Sequence, residues 1–143
     1  MNGNVEELIR KLEEAARGTF WDDIGCVLEF VAPGKTIVSL EVQSRHLNGI
    51  GILHGGVHAS LLDNAMGITA IVARPGEKVV TTNLNLHYLS PLRPGKVTVT
   101  AELIHQSRKI LTVQGKIEDA QGNLGSWGVG SFRASGGTAP GQG

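Results

Sequence analysis

The sequence holds a single cysteine, Cys26, among 143 residues. That excludes an internal disulfide framework and any multi-cysteine zinc or iron–sulfur site. With no local motif to activate it, Cys26 reads as a small buried apolar residue. Excess charge of either sign is also missing, because thirteen Lys and Arg offset thirteen Asp and Glu. The balance excludes the broad basic field of a dedicated nucleic-acid binder, while leaving room for a local basic patch on a phosphorylated ligand. Charged residues are scarce at 18%, against about 25% in an average domain. This predicts that part of the surface is buried against a second copy of the chain. No apolar run approaches the ~18 residues of a membrane span. The opening segment MNGNVEELIRKLEEAARG lacks the basic-then-apolar pattern of a signal peptide. A cytoplasmic protein with no membrane partner is expected.

Glycine, by contrast, is abundant, with 20 residues and about twice its usual ~7% share. Gly136, Gly137, Gly141 and Gly143 fall in SGGTAPGQG, so residues 135–143 are expected to form a flexible tail. The length leaves no room for two independent domains, so residues 1–134 read as one. Val5, Leu8, Ile9, Leu12, Ala15 and Ala16 recur at helical spacing and predict an amphipathic helix over 4–17. Two β-rich runs, 24–32 and 36–43, flank Pro33-Gly34 as a hairpin. A glycine-bearing loop, 44–53, leads to a second helix over 57–73, stopped by Arg74-Pro75-Gly76. Four more extended runs follow at 78–89, 96–105, 109–118 and 124–134. The order is α+β, with one antiparallel sheet and one dominant helix. That helix carries apolar residues on most faces, so the sheet has to curl around it.

Between Val57 and Ala73 the only charged residue is Asp63. A lone carboxylate among apolar residues is costly unless it meets a solvent crack, a cation or a reaction. Nine residues earlier stands His54-Gly55-Gly56, where a loop enters the helix. A first helical turn offers unsatisfied N–H groups at the positive end of the dipole, and glycines let a ligand oxygen reach them. Such a mouth can polarise a carbonyl and hold an oxyanion, although a glycine pair also serves simple tight packing. Asp63 lies eight residues beyond Gly55, about 12 Å along the axis. One carbonyl carbon cannot touch both. Joint action on one substrate therefore demands a homodimer with antiparallel helices and composite sites.

The segment Asn48-Gly-Ile-Gly-Ile-Leu-His54-Gly-Gly-Val-His-Ala-Ser-Leu-Leu-Asp63 resembles the signature of the hotdog-fold acyl-CoA thioesterases. The likeness is strongest to their phenylacetate-degradation (PaaI-like) branch. The stretch Val80-Thr81-Thr-Asn83-Leu-Asn-Leu-His-Tyr88-Leu-Ser90-Pro91 resembles the same family at the expected distance. The likeness covers residues 20–134. It implies a hotdog fold, with the sheet wrapped around the central helix, and hydrolysis of an acyl-CoA without metal or other cofactor. On this resemblance Asp63 is the catalytic carboxylate, as nucleophile or as general base. Gly55 supplies the N–H on the thioester carbonyl. Asn48 and Thr81 orient water or substrate, and His54 organises the loop. Gly56, Asn83, Tyr88, Ser90 and Pro91 are candidate substrate-binding residues, and Arg108 a candidate contact for coenzyme A phosphates. The implied assembly is a homodimer, paired as a dimer of dimers.

Rival readings attach to several residues. His54 and His58 copy the spacing of HExxH, but Gly-Gly-Val lies between them and the general-base Glu is absent, which argues against a metal site. His58 then reads as a helix-surface or interface residue, and Ser60 as an ordinary helical serine. Arg108-Lys109 can equally be a solvated hairpin tip. A non-catalytic acyl-CoA-binding regulator of the same fold is the alternative function. The acyl group itself is not legible.

Overall fold

The computed structural model describes residues 2–136, so the expected tail lies outside the described residues from position 137 onward. Helix α1 (Asn2–Ala15) and the short α2 (Phe20–Ile24) precede strands β1 (Val27–Ala32) and β2 (Lys35–Val42). A 3-10 turn (Ser44–His46) then leads through the loop to α3 (Gly55–Ala73). Strands β3 (Val79–Tyr88), β4 (Gly95–Gln106), β5 (Ile110–Asp119) and β6 (Leu124–Ala134) complete the chain. The six strands form one sheet in the order β1-β2-β4-β5-β6-β3, antiparallel throughout. Several details differ from the sequence reading: α1 covers Asn2–Ala15 rather than 4–17, and α2 has no counterpart there. Residue 24 belongs to α2 rather than to the first strand, and α3 begins at Gly55.

The sheet has one apolar face because its strands alternate. Val97, Val99 and Ala101 of β4, Leu111, Val113 and Ile117 of β5, and Phe132 of β6 are all buried. They meet Leu61, Leu62, Ala65, Met66 and Ala70 of α3, also buried. Contact this close needs glycine in the sheet. A Cβ on Gly115 would stand 3.0 Å from Leu62 Cδ2 and 3.3 Å from Met66 Cγ, so the bare backbone of β5 admits the helix side chains. By length and apolarity α3 could cross a membrane, which corrects the expectation that no such run exists. Here it is the core helix around which the sheet wraps.

The wrapping is incomplete. Asp63, Asn64, Gly67 and Ile68 are half-buried and Ile71 is exposed, so one stripe of α3 turns away from the sheet. Helices α1 and α2 stand over the stripe.

Candidate active site

The loop before α3 is held at several points. His46 is buried, and its Nδ1 accepts from the Gln43 N–H at 2.9 Å. Nε2 then carries the proton and donates to the Ile24 carbonyl at 2.7 Å. The Leu53 N–H reaches Leu92 O at 2.7 Å, and the His54 N–H reaches His46 O at 2.9 Å. Asn48 Oδ1 accepts from the N–H groups of Ile50 and Ile52 at 3.1 and 3.3 Å. Its oxygen is thus committed to the loop, and the side-chain NH2 is the part left to face a ligand.

The start of α3 distributes its donors unevenly. His54 is the N-cap, and its ring Nδ1 accepts from the Gly56 N–H at 2.7 Å. Its carbonyl accepts from Val57 and His58 at 2.9 and 3.2 Å. Of the first four N–H groups, only that of Gly55 has no acceptor among the described residues. Gly55 is therefore the open donor of the helix mouth, at the positive end of the helix dipole. Tyr88 packs against it, with its ring 3.5 Å from where a Cβ would stand. Tyr88 Oη donates to Gly55 O at 2.8 Å.

Further along α3, Asp63 Oδ1 accepts from Thr81 Oγ1 at 2.8 Å within the same protomer. A β-bulge produces this contact. Thr81 lies opposite Phe132 and Asn83 opposite Ser131, so Thr82 is the extra residue. The insertion keeps both Thr81 and Leu84 on the inner face, where plain alternation would separate them. It also leaves Asn83 on the outer face, away from Asp63. Oδ2 of Asp63 makes no hydrogen bond among the described residues.

Below Asp63 opens a cavity of about 430 Å³, between α1, α2, the exposed stripe of α3 and strand β3. Its lining is largely apolar, with Asp63, Thr81, Glu13 and Thr19 among its polar groups, and its size is that of a small-molecule site. Asn64 also lines it and reaches Cys26 Sγ at 3.6 Å. Burial pushes the Cys26 thiol up to about 11, so it stays protonated and is no nucleophile.

The remaining candidates sit apart from Asp63. Ser90 Oγ donates to Leu124 O at 2.6 Å. Pro91 is exposed, beside Arg93 and Lys96. Arg108 is exposed on the β4–β5 turn, and the Arg74 guanidinium binds its carbonyl. Arg74 also pairs with Glu77 at 2.8 Å and donates to Ser107 O at 2.9 Å. The turn is therefore tied to the end of α3.

His58 requires a correction. It is buried, 3% exposed, with Nδ1 2.7 Å from Ser126 Oγ and its ring edge-on to Tyr88 at 5.3 Å. It is a core residue of this chain, neither surface nor interface. Burial lowers its pKa. His54 and His58 thus serve different partners, and no cluster of three His, Cys, Asp or Glu able to hold a metal occurs among the described residues. Sequence reasoning passed over His46, Asn64 and Gly67. The last is legible in retrospect, one helical turn after Asp63.

Comparison with known proteins gives this arrangement a class. The family model of the thioesterase superfamily matches residues 50–126. Acyl-coenzyme A thioesterase 13 of Homo sapiens is 31% identical over 112 residues, spanning 77% of this chain and 79% of its own. The 1,4-dihydroxy-2-naphthoyl-CoA hydrolase of Listeria monocytogenes is 35% identical over 99 residues, spanning 68% and 80%. In fold, the chain matches the E. coli PaaI protein from the phenylacetic acid degradation operon. That match has a TM-score of 0.81 at 23% identity and covers 90% of this chain and 92% of that one. The chain belongs to the thioesterase superfamily, has the hotdog fold and is a thioester hydrolase.

Proposed function

We propose that the protein hydrolyses an acyl- or aryl-acyl-CoA thioester to free acid and coenzyme A, at sites shared between two copies of the chain. The observation that carries this reading is the division of labour along α3. Its one open donor, the Gly55 N–H, and its one carboxylate, Asp63, stand about 12 Å apart along the axis. Neither a carbonyl group nor a water bound to it spans that gap. Two copies with antiparallel α3 helices bring the Gly55 of one against the Asp63 of the other. Strand β3 supports the pairing. It is a ten-residue edge of the sheet, largely exposed along its length, and such an edge is a template for another strand.

In the composite site the thioester oxygen lies on the Gly55 N–H, which gains strength as charge develops on that oxygen. Thr81 fixes Asp63 through Oδ1, so Oδ2 faces the reacting carbon. Asp63 either attacks that carbon, giving an anhydride that water opens, or takes a proton from water as the water attacks. In both routes the C–S bond breaks and coenzyme A leaves as the thiol once its sulfur is protonated. The Asn48 NH2 orients the water, and His54 holds the mouth in shape through Gly56. Tyr88, Ser90 and Pro91 flank the entry, with Arg108 the candidate for coenzyme A phosphates.

The test is thiol release trapped by a disulfide reagent across a panel of acyl-CoAs. Asp63→Asn should lower turnover by at least ~10³-fold while the circular dichroism spectrum and the dimer persist. Near-normal hydrolysis by that variant removes Asp63 from the chemistry.

A further inference from the structure

Gly67 stands in the middle of α3, where glycine is the poorest helix former after proline. Two ordinary reasons for such a glycine are absent. Its φ is not positive, unlike that of Gly25 or Gly76. Nor does close packing within the chain demand it, because an added Cβ would meet only Phe132 Cε2, at 3.8 Å, an ordinary contact. Gly115 shows the contrast, since there a Cβ would press on Leu62 and Met66 at 3.0 and 3.3 Å. The fold of this chain accepts alanine at position 67 and would gain helix stability from it.

What Gly67 does face is the cavity below Asp63. It follows Asp63 by four residues, so it lies on the same side of α3 and about 6 Å further along the axis. The apolar part of the wall around it comes from Leu12 of α1, Ala16 just after that helix, Ile68 and Ile71 of α3, Val79 of β3 and Phe132 of β6. A substrate whose reacting carbon is at Asp63 has its acyl group pass this point. A side chain at 67 would narrow the cavity there.

Resting on the acyl-CoA thioesterase reading, we propose that Gly67 determines acyl-group size. By leaving the cavity open one turn beyond Asp63, it admits an apolar acyl group too long or too wide to stop at the mouth. The shared chemistry is an uncharged hydrocarbon body, supplied by a medium-length alkyl chain or by an aryl ring. The helix therefore gives up stability at this residue in exchange for room.

The experiment compares wild-type protein with Gly67→Ala and Gly67→Leu on butanoyl-, lauroyl- and phenylacetyl-CoA. For Gly67→Leu, kcat/KM for lauroyl- or phenylacetyl-CoA relative to butanoyl-CoA should fall at least tenfold, mainly through KM. Gly67→Ala should show a smaller shift and melt about 2–4 °C higher. A fall confined to lauroyl-CoA identifies an alkyl-chain cavity, and one confined to phenylacetyl-CoA an aryl cavity. Either supports the proposal. Unchanged ratios in both variants, equal losses on all three substrates, a lower melting temperature for Gly67→Ala, or dimers that dissociate would each overturn it. If the wild-type protein releases no thiol from any substrate, the hydrolytic reading fails separately. Gly67 is then judged by calorimetric binding of butyl- and dodecyl-ketone analogues of the same thioesters. Loss of preference for the dodecyl compound in Gly67→Leu supports the size role, and retained preference overturns it.

Discussion

At the scale of single residues, the site depends on histidines that do different work. His54 caps α3 through Gly56, an interaction of the kind worth about 0.5–2 kcal/mol. His46 anchors the loop to α2. His58 lies in the core, where burial pushes its pKa below the ordinary 6.5. The unfolded chain therefore binds a proton that the folded chain resists. His58's contribution to stability is complete above pH ~6.5 and is lost as pH falls toward the folded-state pKa. Urea midpoints of the wild-type protein should fall between about pH 7.5 and 5. In His58→Gln, which keeps a partner for Ser126, the decline should be smaller. An equal slope in both proteins would show that folding does not lower the pKa of His58. The sequence placed this residue wrongly because helical spacing does not tell which face of an apolar helix meets the sheet.

At the scale of elements, α3 is a rod with a donor at one end and a carboxylate near its middle. Gly55 occupies the first helical position, where proline is well tolerated. His54 before it already has φ −63° and ψ 137°, the conformation a following proline favours. Gly55→Pro therefore removes the N–H with little disturbance to the backbone, and a Cβ there meets Tyr88 at only ordinary contact distance. We expect kcat to fall by ~10²–10³, the effect of losing one oxyanion donor, with the helical signal unchanged. Retained kcat would show that another group polarises the carbonyl. Most elements were legible beforehand because α1 shows a clear 3.6-residue period and the strands are rich in β-branched residues between glycine and proline turns. Helix α2 was not, since its five residues, FWDDI, are too few to show a period. Nothing in the spacing of residues 63 and 81 foretells their contact, because it depends on the bulge at Thr82. That bulge is also why Asn83, adjacent in sequence, falls on the other face.

At the scale of the whole molecule, one sheet curled around one helix leaves two surfaces unfinished: the β3 edge and the stripe of α3 that carries Asp63. Both belong to the proposed composite site, which explains why a chain with so few charged residues keeps a carboxylate at that place. The sequence could indicate the need for a second copy from the 12 Å argument, but not the cavity roofed by α1 and α2. The roof is formed by tertiary packing of a helix that reads, on its own, as an ordinary amphipathic segment. The most direct test of the shared site mixes two disabled chains. Asp63→Asn and Gly55→Pro, each nearly inactive alone, are unfolded together and refolded as a mixture. In a hybrid dimer, one of the two sites pairs an intact Asp63 with an intact Gly55 from the other chain. Random pairing should therefore restore about a quarter of wild-type activity. If the mixture stays as inactive as its parents while hybrids form, the carboxylate and the helix mouth do not act across the dimer, and the account fails.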